Sequence, residues 1–223
     1  NRWLNHHATP RPAMVQAIHN LYKLEVGLLP LTTAEIKKVL VAVNAEKKKH
    51  GQIKGLIKNS QNIRDDLLLE LTYNSNAIEG STLTKKETES VIFDKAKIKE
   101  RSYVEHLAAT NHAAALSAIF AGDFPGAITE ESIKELHRMI LQGISPDAGK
   151  YSKHHRAIRG VDLKLTGPED IKEEMARFLK TISRPKGQII EHLAQIHASF
   201  EAIPPFGDGN GRVGRLMMMI QAL

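Results

Sequence analysis

Residues 203–215 read Ile-Pro-Pro-Phe-Gly-Asp-Gly-Asn-Gly-Arg-Val-Gly-Arg, and the rest of the chain can be interpreted as placing this stretch. Gly207, Gly209 and Gly211 stand at alternate positions, where they allow positive φ at little cost and let successive amides turn inward around an anion. The apolar run that follows predicts a helix, whose N-terminal amides and dipole also favour negative charge. We therefore predict a phosphate-binding loop.

Three charged side chains in this stretch suit a phosphate ligand. Arg212 and Arg215 are three residues apart and so share a helical face, where two guanidinium groups can clamp phosphates. Asp208 is a carboxylate in a positive setting, which predicts Mg²⁺ bound with the phosphates. A calcium loop starting at Asp208 is excluded because Met219 stands where its bidentate Glu belongs. Taken singly, Asp-Gly, Asn-Gly and the arginine pair are also typical of turns and solvated helix faces.

Taken whole, the stretch resembles the signature of the Fic family (filamentation induced by cAMP), His-x-Phe-x-Asp/Glu-Gly-Asn-Gly-Arg-x-x-Arg. Seven of the eight specified positions match. The exception is Pro204, which occupies the position of the family's catalytic histidine. A general base typically contributes about 10² to 10⁴ in rate. The resemblance therefore implies that nucleotide binding survives while transfer is severely reduced.

The family binds ATP and Mg²⁺ and transfers AMP to a hydroxyl of a target protein. By this resemblance Asp208 holds Mg²⁺ and the Gly209, Asn210 and Gly211 region binds the α-phosphate. Arg212 and Arg215 are expected to hold the outer phosphates. Glycine at position 211 points to AMP transfer, because the related death-on-curing kinases carry lysine there.

A second motif lies at the end of a predicted helix. Residues 75–80 read Ser-Asn-Ala-Ile-Glu-Gly, which resembles the family's inhibitory motif, Ser/Thr-x-x-x-Glu-Gly/Asn. Ser75 and Glu79 share a helical face, so that Ser75 can help to orient the carboxylate. The resemblance implies that Glu79 pairs with Arg215 and keeps it from the γ-phosphate, within one chain or across a homodimer. The alternative is an ordinary carboxylate at a helix end.

No other histidine is predicted to replace the missing base. His154 and His155 are interpreted as solvent-facing residues of a flap, because a catalytic base needs a fixed position. His197 lies seven residues before Pro204, about 10 Å along a helix axis. Two hypotheses follow: an impaired Fic adenylyltransferase, or a non-catalytic Fic-like module that binds nucleotide and a partner protein.

Composition limits the class of protein. The 223 residues carry a formal charge of +6 with a pI near 9.4, which favours anionic partners. Nucleic acid is disfavoured, because basic residues are interspersed with acidic ones and aromatic residues are only 5%. The chain has no cysteine, and no apolar run approaches the roughly 18 residues of a membrane span. A soluble cytoplasmic protein is expected.

The apolar periodicity predicts an all-α fold with a small β-hairpin flap, and the resemblance implies that it is a Fic-type helical bundle. We divide the chain into an N-terminal helical appendage, 1–60, and a Fic domain, 61–223. The domain contains the inhibitory helix at about 61–80, the flap at about 149–165, which is expected to dock the target, and the core motif at 204–215. Predicted helices span 13–26, 31–50, 52–80, 84–96, 102–121, 129–141, 167–183 and 188–203. His106 and His112 are predicted on a helix surface.

Overall fold

The computed structural model describes residues 32–50, 53–124, 127–155, 166–182 and 189–223. The chain divides into two compact units, residues 1–52 and 53–223. The predicted helix at 13–26 lies outside the described residues. Throughout the described ranges the regular structure is helical and no strand occurs, in agreement with the predicted all-α class.

In the first unit, helix α1 runs Thr33–His50. A capping box starts it, because the Thr32 N–H donates to Glu35 Oε2 at 2.7 Å and the Glu35 N–H donates to Thr32 Oγ1 at 3.3 Å. The helical spacing of Ile36, Leu40 and Val43 predicts a buried face, but these side chains are not buried. Ile36 and Val43 are each 42% exposed. The apolar spacing therefore predicted the helix correctly, but it did not predict a packed face among the described residues.

The second unit contains eight helices among its described residues. They are α2 Ile53–Asn59, α3 Gln61–Ile78, α4 Lys85–Phe93, α5 Tyr103–Ala121, α6 Glu130–Leu141, α7 Ile171–Ile182, α8 Ile189–Ala202 and α9 Asn210–Ala222. Helix α9 packs against α3, α5, α6 and α8. The core includes Leu116, Ile133, Leu136, Met175, Phe200 and Met217, all fully buried. The core motif therefore begins the helix around which the unit is packed.

Several helix boundaries follow local capping signals. Thr84 and Ser102 each form a complete capping box with the Glu three residues later, which starts α4 and α5. Gly122, at φ 90°, ends α5 in the left-handed conformation. Helix α7 begins at Ile171, because the predicted start at Gly167 and Pro168 is a turn.

The predicted helix over 52–80 is two helices. Ser60 adopts an extended conformation and its side chain accepts from the Ile63 N–H at 3.4 Å, which caps α3 and separates it from α2. The periodic pattern concealed this break, because the apolar spacing continues across Ser60. The other end agrees with the prediction, since Gly80 has φ 90° just after α3.

The flap predicted over 149–165 is described only in part. Residues 149–155 contain no strand, and residues 156–165 lie outside the described ranges. The amide of Ser152 donates to the carbonyl of Pro205 at 2.9 Å. This bond attaches the start of the flap segment to the core motif.

His112 is not a surface residue, contrary to the prediction. It is 1% exposed on the inner side of α5, and its Nδ1 lies 3.2 Å from Thr72 Oγ1. Burial, together with the charges of Arg215 and Arg212, lowers the pKa of His112 to about 3. Alanines on both sides of His112 allow α3 and α5 to approach, and that packing covers the imidazole.

This buried imidazole predicts acid sensitivity. In the unfolded chain His112 titrates near 6.5, whereas in the native state it stays neutral down to about 3. As pH falls below 6.5 the unfolded state gains a proton that the native state does not, so stability falls. We expect the free energy of unfolding to drop by about 1 kcal/mol between roughly pH 7 and 5.5 because of this residue.

Urea denaturation at a series of pH values measures this effect. His112→Asn should make the pH dependence shallower over this interval. His155→Asn, at an exposed position, serves as the matched control and should leave the dependence unchanged. Equal pH dependence in the wild type and His112→Asn would contradict the prediction.

Candidate functional site

The core motif forms a closed loop between α8 and α9. Phe206 is fully buried, and the side-chain amide of Asn210 forms two hydrogen bonds of 3.0 Å with the Phe206 backbone. Gly209 has φ 76°, and a Cβ there would lie 3.1 Å from Ile140 Cδ1. The loop therefore presents the first turn of α9 in one fixed orientation.

The three glycines differ from the predicted arrangement of alternating positive φ. Among them only Gly209 has positive φ. Gly211 is already helical. Its lack of a side chain lets Glu79 approach the helix closely, because a Cβ there would stand 2.6 Å from Glu79 Oε1. An added Cβ at Gly207 would meet no atom within 4 Å. The candidate amides for an anion are thus those of a helix N-terminus entered through a left-handed residue.

His137, on α6, supports the loop, a role that was not predicted from the sequence. Its ring stacks on Phe206, with centroids 3.8 Å apart and planes 8° from parallel. The Gly149 N–H donates to His137 Nδ1 at 2.8 Å, so the imidazole is neutral and its Nε2–H donates to the Asp208 carbonyl at 3.1 Å. The sequence does carry one signal for this role: His137 is a polar residue on the same helical face as the buried Ile133 and Ile140.

Arg215 joins the two sequence motifs. Its Nε donates to Ser75 Oγ at 2.9 Å, and its Nη2 donates to the Ser75 carbonyl at 3.0 Å and to Glu79 Oε1 at 2.6 Å. The predicted pair therefore forms within one chain. Ser75 holds the guanidinium, whereas we expected it to orient the carboxylate. It does so because α9 packs against α3, which brings Arg215 to the Ser75 side chain.

Arg212 and Asp208 form the second ion pair of the loop. Arg212 is 6% exposed, and its Nη2 donates to Asp208 Oδ2 at 3.1 Å. Asp208 Oδ1 accepts from the Gly209 N–H at 2.6 Å. Arg212 Nε is buried, and no partner for it exists in the part of the chain that is described. The guanidinium thus keeps a donor that an anion could use.

Asp208 is positioned to meet a ligand. Its side chain is 65% exposed and, with Arg212 and Glu79, lines a cleft of about 220 Å³. Val104 of α5 and Ile144 form an apolar part of the cleft wall. No group of three or more His, Asp or Glu side chains suited to a metal occurs in the described ranges. A cation at Asp208 would therefore need most of its ligands from a bound anion and water.

The histidines considered as replacement bases, His154, His155 and His197, do not line this cleft. His154 and His155 are exposed, and His155 Nε2 faces Glu169 Oε2 at 3.7 Å. His197 packs against α9, since a Cβ added at Gly214 would stand 2.6 Å from its Nδ1. Pro204 itself is half-buried and lies outside the flanking helices.

Comparison with known proteins gives the family of this site. Residues 127–222 match the profile of the Fic/DOC family. The chain contains a Fic domain. A relative in Nematostella vectensis, named protein adenylyltransferase Fic, is 32% identical over 152 residues, which are 66% of this chain and 35% of that protein. The chain thus spans about a third of the length of that relative.

Solved structures show the same Fic fold. A Fic family protein from Desulfovibrio desulfuricans superposes with a TM-score of 0.71 at 24% identity, over 86% of this chain and 58% of that one. A Fic domain containing signaling protein from Bacteroides thetaiotaomicron gives a TM-score of 0.64 at 27% identity, over 71% and 63% of the two chains.

In the described ranges, no helix is long and apolar enough to cross a membrane.

Proposed function

We propose that this Fic domain is a protein adenylyltransferase, autoinhibited through Glu79 and impaired by Pro204 at the general-base position. The observation that carries the proposal is the placement of Asp208, Arg212 and Arg215 on one loop and the first turns of one helix, beside the N-terminal amides of that helix. The relative in Nematostella vectensis is a protein adenylyltransferase by name.

The residues present fit ATP and Mg²⁺. Within the Gly209 to Gly211 region, the amides of Asn210 and Gly211 would receive the α-phosphate, and the unpartnered Arg212 Nε would gain an acceptor from a phosphate oxygen. Asp208, whose side chain is largely exposed, would exchange Arg212 for a cation and hold Mg²⁺. The metal would neutralise phosphate charge, while the chain's own groups bind and orient the nucleotide.

Glu79 would restrain this arrangement. Its carboxylate and the Ser75 hydroxyl and carbonyl together occupy Arg215 Nε and Nη2. A charge-assisted bond of 2.6 Å is strong enough to compete with a phosphate for the same guanidinium. ATP would then bind without its outer phosphates being held by Arg215.

The target hydroxyl would be presented by the flap, whose start is attached to the core loop through Ser152 and Pro205. The alternative is a non-catalytic module that binds nucleotide and a partner protein. Pro204 favours this alternative, because proline has no group that accepts a proton from an attacking hydroxyl.

Titration calorimetry with ATP and Mg²⁺ tests nucleotide binding. Arg212→Ala should weaken binding by about 10- to 100-fold, the value of charge-assisted hydrogen bonds to phosphate. Arg138→Ala, which removes an exposed arginine from α6, is the matched control and should bind like the wild type. Omitting Mg²⁺ should also weaken binding.

The nucleotide proposal fails if neither the wild type nor Glu79→Gly binds ATP. The second variant is needed because an inhibitory carboxylate can hide weak binding in the first.

A further inference from the structure

A second and larger cleft lies beside the candidate site. Its volume is about 440 Å³, within the range of ligand-binding clefts. It is formed by the segment between α4 and α5 and by the first two turns of α5, and Val91, Ile98 and Leu107 make its floor. Neither of the two motifs found in the sequence contributes to it.

The rim of this cleft has one sign of charge. The lining includes the side chains of Lys95, Lys97, Lys99 and Arg101 and no carboxylate. Arg101 is paired with Glu87 at 3.0 Å. Lys97 and Lys99 are exposed, and they form no hydrogen bond or ion pair within the described ranges. Two cations are therefore available to a ligand at the edge of an apolar floor.

The backbone that carries these lysines is held at a conformational cost. Lys95 has φ 57°, and in the described residues it alone has positive φ without being glycine. It stands just after α4, a position where glycine is usual. Ala96 N–H closes the turn on the Ser90 carbonyl at 3.1 Å. Strain of this kind persists where the surrounding structure maintains it, often at binding sites.

The two clefts share helix α5. Val104 and Ala108 line the candidate nucleotide cleft, whereas Tyr103 and Leu107 line the basic one. Leu107 also contacts the turn before Ile144, since a Cβ at Gly143 would lie 3.3 Å from Leu107 Cδ1. A peptide bound in the basic cleft would therefore be separated from the candidate nucleotide cleft by the width of helix α5.

We infer that the basic cleft docks an acidic segment of the target protein that carries an apolar side chain. The carboxylates would meet Lys97 and Lys99, the apolar side chain would enter between Ile98 and Leu107, and Tyr103, 74% exposed, would cover it. The concave shape favours a peptide over a flat membrane surface. That the bound segment belongs to a target protein rests on the function proposed above.

Fluorescence anisotropy without ATP or Mg²⁺ tests this docking. The probes are fluorescein-labelled peptides rich in Glu around one Leu, and matched peptides with Lys for each Glu or Ser for the Leu. The Glu and Leu peptide should bind saturably, bind more weakly in high salt, and bind better than both matched peptides. Because nucleotide is absent, failure here is separate from failure of ATP binding.

Two variants locate the site. Lys97→Glu with Lys99→Glu should weaken binding of the acidic peptide about tenfold, and Tyr103→Ala about fivefold. Lys37→Glu with Lys38→Glu, the same charge change on exposed α1, is the matched control and should change binding less than about twofold.

The inference is overturned if the acidic and basic peptides bind equally, or if the Lys97 and Lys99 variant binds like the control. It is also overturned if vesicles of phosphatidylcholine and phosphatidylserine bind and the peptide does not, which would assign the cleft to anionic membrane surfaces.

Discussion

Pro204→His should raise AMP transfer to protein by about 10² to 10⁴, the usual contribution of a general base. In the proposed reaction the target hydroxyl oxygen attacks the α-phosphorus, pyrophosphate leaves, and the hydroxyl proton needs an acceptor. Proline offers none, whereas an imidazole at this position would lie at the end of the loop that carries Asp208. The backbone should accept the change, because a residue before Pro205 already prefers an extended conformation.

Transfer of label from α-labelled ATP to the chain itself or to lysate proteins measures this effect. Pro146→His, at an exposed turn outside the motif, is the matched control and should leave transfer at the wild-type level. Both changes should also be made in a Glu79→Gly background, so that inhibition does not hide a restored base. If Pro204→His with Glu79→Gly is as inert as the parent, the non-catalytic module becomes the better explanation.

Glu79→Gly should tighten ATP binding by about 10- to 100-fold, because Arg215 then gives its Nη2 donor to the γ-phosphate. Together with Pro204→His it should raise transfer beyond the level of Pro204→His alone. Glycine is tolerated at this position, since Glu79 follows the last residue of α3. Glu79→Gln keeps the side chain but loses the charge, and should produce an intermediate affinity.

A double-mutant cycle of Glu79→Gly and Arg215→Ala, read as ATP affinity, isolates the pair. We expect strong coupling: removing Glu79 should help only while Arg215 is present. Strictly additive effects would show that the contact between the two side chains does not control nucleotide affinity. Glu79 would then be a carboxylate at a helix end that happens to face an arginine.

Local features of the fold were predictable from the sequence. The capping boxes at Thr32 and Thr84 follow from the sequence pattern Thr-x-x-Glu, because each depends on hydrogen bonds between residues three apart. The break at Ser60 also depends on a hydrogen bond between residues three apart. It was not predicted, because the apolar pattern continues across Ser60. Burial was less predictable, as the exposed stripe of α1 and the buried His112 show.

The sequence alone determined the all-α class, the starts of several helices and the presence of the core and inhibitory motifs, since these depend on residue type and spacing over a few residues. Only the tertiary structure decided that Ser75 holds Arg215 across 140 positions, that His137 supports the loop, and that four cations rim an apolar cleft. Such contacts depend on how helices cross, and the crossing is set by the packing of the whole core, which no local pattern specifies.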